Sequence, residues 1–65
     1  GPIYLADSAD ERIVVLSKDG AFGAQLRARD GAFASLQTIA FQETTGRLFI
    51  LAGGRLYVLA LDELS

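Results

Sequence analysis

Four stretches of this chain, residues 3–6, 13–16, 48–52 and 56–61, place apolar side chains on consecutive positions. Ile, Val, Leu, Phe and Tyr dominate them, and each is too short for an ordinary helix. A strand with one face in water alternates apolar and polar residues; an unbroken apolar run belongs to a strand covered on both faces. Covering four such strands is hard for 65 residues. A domain this small buries a modest fraction of its surface, and its net stability is slight. Ten of the apolar residues are alanines, there is no Trp or Met, and no Cys supplies a disulfide. The chain is therefore expected to gain the cover it lacks by association.

Two further segments differ from these four. Residues 21–29 alternate, with Phe22, Ala24, Leu26 and Ala28 on one face and Gly23, Gln25, Arg27 and Arg29 on the other. That pattern predicts a strand at the rim of a sheet. Residues 36–42 set Ile39 and Phe41 against Gln37, Ala40 and Gln42, less regularly. Between the segments, Lys18-Asp19-Gly20 and Thr44-Thr45-Gly46 place glycine where a tight turn needs a left-handed residue, and Gly53-Gly54 suits a two-residue hairpin. Asp7 to Glu11 and Arg29-Asp30-Gly31 are polar connections. The alanines admit a helix over residues 24–41, but Gly31 interrupts it, and Thr38 and Ile39 favour strand. The fold class expected is all-β, an antiparallel meander of six short strands.

The chain also repeats itself. Ile3-Tyr4-Leu5-Ala6 followed by Arg12-Ile13-Val14-Val15-Leu16 matches Leu48-Phe49-Ile50-Leu51 followed by Arg55-Leu56-Tyr57-Val58-Leu59, at an offset in the low forties. Short strands recurring at that period are the signature of propeller blades. Tyr4-Leu5-Ala6-Asp7, then Arg12 to Leu16, then Lys18-Asp19-Gly20-Ala21-Phe22 stand in the order of an NHL-type blade, and Asp30-Gly31-Ala32-Phe33 with Leu36 and Ile39-Ala40-Phe41 resembles the entry to the next. The chain thus resembles the NHL-repeat β-propellers over nearly its whole length. It departs from them at Asp10-Glu11, where the family often carries two asparagines. The resemblance implies the second to fourth strands of one blade in residues 1–30. Residues 31–65 would then form the first to third strands of the next. One and a half blades do not close a ring of the usual four to eight.

Chemistry is poorly represented. With no His and no Cys, the serines (Ser8, Ser17, Ser35, Ser65) have no imidazole base, no thiol nucleophile exists, and the usual zinc ligands are missing. Asp7, Asp10 and Glu11 crowd one loop without calcium-loop spacing; an Asx turn and solvated charges account for them. Gly20-Ala21-Phe22-Gly23 matches the GxxG pattern of nucleic-acid clamps but opens a strand, not a helix pair. Gly53-Gly54 lacks the Lys-Ser/Thr and helix start of a phosphate loop. Arg27 and Arg29 read as charges blunting a sheet edge, Arg12 and Arg55 as structural arginines, and Tyr4 and Tyr57 as core residues.

A net charge of −2 argues against a nucleic-acid surface, which depends on neutralising phosphates. The longest uncharged stretch, residues 31–42, is too short to span a membrane as a helix, and no secretory leader is expected. The sequence leads to a non-catalytic module without cofactors or metal. It is expected to form homo-oligomers or dock on propeller-like subunits, with Leu16, Phe22, Phe41, Leu51 and Leu59 proposed at the interface. The competing readings are a fragment of a metal-dependent propeller hydrolase or lyase with its catalytic residues elsewhere, and a small-ligand-binding β-module.

Overall fold

A computed structural model describes residues 1–61. Six strands follow in order: β1 (Ile3–Asp7), β2 (Arg12–Leu16), β3 (Phe22–Arg27), β4 (Leu36–Gln42), β5 (Arg47–Ala52) and β6 (Arg55–Ala60). They form two antiparallel three-stranded sheets, β1-β2-β3 and β4-β5-β6, each a simple meander. No α-helix occurs among the described residues, so the helical alternative over residues 24–41 is not adopted. The glycine turns form as their chemistry dictates. Gly53 and Gly54 have φ of 58° and 76°, a pair of left-handed residues that closes the β5–β6 hairpin without the steric cost a Cβ would bring.

Register sets the faces. In the first sheet Ile13 lies opposite Ala6 and Leu26, and Val15 opposite Tyr4 and Ala24. These residues face the second sheet. There, Ile50 lies opposite Ile39 and Tyr57, and Leu48 opposite Phe41 and Leu59, facing back. Ile13, Leu48 and Ile50 are wholly removed from water. Phe33, Leu36 and Ala52 complete the cluster, and Phe33 comes from the connection between the sheets. The sheets meet along β1 and β4, where the Tyr4 and Phe41 rings lie 4.8 Å apart and tilted. The Ser8 hydroxyl donates to the Leu36 carbonyl at 3.0 Å across the seam, and in the second sheet's half the Gly53 N–H of the β5–β6 turn donates to the Ser35 carbonyl at 2.9 Å.

The rim strand departs from the expected alternation. Its pairing steps from Leu16 opposite Phe22 to Val15 opposite Ala24, which leaves Gly23 as an extra residue in a bulge. A Cβ at Gly23 would sit 3.1 Å from the Val15 carbonyl oxygen, so the close backbone approach requires glycine. Phe22 is thereby moved from the face of Ala24 and Leu26 to the opposite face, beside Leu16. The strand also stops at Arg27, short of the expected residue 29, and Ala28 packs on the core from the connection. A second bulge at Gln37 shifts β4 between Leu36 and Thr38, and explains the irregular start of that segment.

Truncating the buried centre tests this packing. Ile50→Val should lower the unfolding free energy by about 1 kcal/mol and Ile50→Ala by about 3 kcal/mol, in urea titrations at one protein concentration. Equal, sub-kilocalorie losses for both would place Ile50 outside the core.

Candidate functional site

Three features on the described residues carry polar chemistry, space or exposed apolar surface. The first is a clamp at one end of the first sheet. Asp7 of β1 and Arg12 of β2 are opposite partners in the ladder, and the Arg12 Nε donates to the Asp7 Oδ2 at 2.8 Å. Another guanidinium nitrogen of Arg12 donates to the Gln25 Oε1 of β3 at 3.1 Å, so one side chain ties all three strands. Arg27 donates to the Asp10 carbonyl at 2.7 Å. Between these anchors Glu11 holds φ of 53°, a conformation that a non-glycine residue adopts only under constraint. Arg12 thus behaves as a structural arginine, and the carboxylate of Asp7 is committed to it. Among the described residues no group of three His, Cys, Asp or Glu side chains is placed to hold a metal ion.

The second feature is a cleft of about 370 Å³ between the sheets, lined by Leu26, Ala28, Phe33, Tyr57 and Leu59, with Arg27 and Asp30 adding charge. The sheets are joined along β1 and β4, and the cleft lies among residues of β3, β6 and the connection.

The third feature is the pair of outer faces. On the first sheet Ile3, Leu5, Val14, Leu16 and Phe22 point away from the core; on the second Phe49, Leu51, Leu56 and Val58 do so. Phe22 and Leu56 are 64% and 65% exposed, and Ile3, Leu5 and Val58 are also exposed. Apolar surface concentrated in this way makes these faces the candidate contact surfaces of the chain. Of the residues proposed from sequence, Leu16 and Phe22 lie on the first outer face and Leu51 on the second. Phe41 and Leu59 lie on the inward side, one against Tyr4 and the other against the core. Sequence reasoning passed over Ile3, Leu5, Leu56 and Val58. All four lie in runs that are apolar at every position, so alternation in the sequence does not separate them from the core residues.

The chain matches no protein-family model, and neither a curated protein nor a solved structure is similar to it.

Asp7 titrates below its ordinary value of 3.8, because the Arg12 hydrogen bond favours the carboxylate against a smaller opposing effect of burial; the Asp10 N–H and the charges of Arg12 and Arg27 add to it. A lowered folded-state value means stabilisation that is present above the unfolded value and lost as pH falls through the folded one. In Arg12→Gln the Asp7 carboxyl, followed by NMR, should titrate closer to 3.8 and the acid-side loss of stability attributable to Asp7 should shrink. An unchanged Asp7 titration in Arg12→Gln would remove the clamp from the account.

Proposed function

We propose that this chain is a non-catalytic β-module whose work is self-association, assembling propeller-like blades from copies of itself. The single observation that supports the reading most is the pair of apolar outer faces, each on a sheet whose other face is already packed. Solvated sheet faces ordinarily carry polar residues at alternate positions. Here the outward rows Ile3, Leu5, Val14, Leu16 and Phe22 on the first sheet, and Phe49, Leu51, Leu56 and Val58 on the second, are apolar. The polar Asp7, Arg12, Gln25 and Arg27 lie beside the first set, and Thr38, Gln42 and Arg47 beside the second. A second copy is the partner whose surface matches such apolar residues, because this chain packs the same residue types against one another internally. The absence of His and Cys from the sequence removes the commonest nucleophile–base pairs, which supports assembly over catalysis. The NHL-like order of strands and turns supports a blade architecture for the assembly.

The cleft favours a second reading, a site for a small apolar ligand, since its volume falls within the range of small-molecule pockets. Saturable one-to-one binding of an apolar dye, lost when Ala28→Trp fills the space, would support that reading; binding unaffected by Ala28→Trp would remove it.

Light scattering after size exclusion tests self-association directly. The expected result is a mass that is a whole-number multiple of 6.9 kDa, rising toward a plateau with concentration. A monodisperse 6.9 kDa species with a cooperative melt would overturn the proposal and describe a self-contained pair of sheets.

A further inference from the structure

The internal repeat equates β1 with β5 and β2 with β6, and the register says which way each equivalent residue faces. Leu48, Ile50, Tyr57 and Leu59 face inward from the second sheet. Their equivalents in the first sheet are Ile3, Leu5, Val14 and Leu16, and all four face outward. The reverse holds for the remaining positions. Tyr4, Ala6, Ile13 and Val15 face inward from the first sheet, while their equivalents Phe49, Leu51, Leu56 and Val58 face outward from the second. Each sheet therefore exposes the counterpart of the face that the other sheet buries.

The contact inside the chain is consequently not between like faces. It joins the Tyr4–Ile13 face of one unit to the Ile50–Tyr57 face of the next. The two faces left over are one of each kind: the first sheet offers the counterpart of the Ile50–Tyr57 face, and the second the counterpart of the Tyr4–Ile13 face. All eight outward positions in this equivalence are apolar.

We infer that copies of this chain stack head-to-tail, the outer face of the first sheet of one copy seating on the outer face of the second sheet of the next. That contact continues the packing already present inside each chain, with Leu5 and Val14 in the places of Ile50 and Tyr57, and Leu56 and Val58 in those of Ile13 and Val15. It is a heterologous interface, which closes into a ring or runs on as a filament according to the rotation between copies. The inference rests on the self-association proposed above and adds which faces meet.

Complementation between single-face variants tests it. Phe22→Glu charges the first outer face and Leu56→Glu the second; both positions are about two-thirds exposed in the single chain, so the fold should tolerate the change. Head-to-tail stacking requires each variant alone to fall to the 6.9 kDa mass, and an equimolar mixture to give a species of twice that mass and nothing larger. In that mixture each variant contributes its one intact face. Circular dichroism checks the fold, and Leu5→Glu with Val58→Glu provides a second pair should the first lose its β signal. If the unmodified chain associates but one variant alone still does so, like faces meet and the head-to-tail inference falls while self-association stands. An associating parent with a monomeric mixture places the contact elsewhere and also overturns the inference. A monomeric parent overturns self-association and the inference together.

Discussion

Burial of Ile13, Leu48 and Ile50 between two small sheets is the constraint from which the rest of the structure follows. Among the described residues these are the large side chains fully removed from water, and full burial of each contributes on the order of 2 kcal/mol. A chain of this length cannot enlarge that core by adding layers. It gathers what is available: Phe33 from a connection, Leu36 from a bulged strand, and Ala52 from the end of β5. The Tyr4–Phe41 contact fixes the sheets along β1 and β4. Farther out, the cleft lined by Leu26, Tyr57 and Leu59 shows that the same side chains do not fill the space between β3 and β6.

The two repeated hairpins solve one backbone problem by different means. Both need left-handed residues to reverse direction within the right-handed twist of the strands. The β5–β6 turn uses Gly53 and Gly54, whose N–H groups donate to the Ser35 carbonyl and the Gln37 side-chain oxygen. The β1–β2 turn is longer and sets Glu11 in the left-handed region, where its Cβ is unfavourable. Arg12 and Arg27 hold that loop through Asp7 and the Asp10 carbonyl, so charge-assisted bonds offset what glycine would have avoided. The cluster of acidic residues around Asp7 is thereby explained as a structural device, with its ionised form favoured by the arginine beside it.

Much of the architecture was legible in the residues. The four apolar runs, the alternating rim and the glycine turns together determine six strands in a meander, and the strands lie where these signals put them, within one or two residues at the ends. The bulges were not legible. Gly23 stands in an evenly alternating segment, and only the close approach of the Val15 carbonyl reveals why glycine is there. That one extra residue moves Phe22 to the other face, an instance of how strongly register controls which side chains are buried. The facing of the apolar runs was also hidden, for a physical reason. A run such as Ile13 to Leu16 is apolar at every position, so it has no phase from which to tell inside from outside. Leu59 could not be separated from Leu16 and Leu51 on sequence grounds alone, whereas Phe41 shares a face with Ile39 in a segment interrupted by polar residues.

The same absence of phase bears on why the outer faces are apolar. In a lone pair of sheets, polar residues at Ile3, Leu5, Leu56 and Val58 would leave Ile13, Leu48 and Ile50 untouched and would improve solubility, since these positions are exposed. The sequence keeps them apolar in both units, and at each one the equivalent position in the other unit faces the core. A unit that must accept a neighbour on either side needs apolar residues at both phases; a unit that packs on one side only needs them at one. The outer strands differ in the same sense. β3 and β6 each carry one charge, Arg27 and Arg55, but β3 holds Gly23 and Gln25 in its interior, whereas β6 runs Leu56, Tyr57, Val58 and Leu59 without a polar break. A strand that is apolar on both faces is what an internal unit of the proposed stacked array requires, and it is poorly suited to a terminal cap, which needs a polar outer surface.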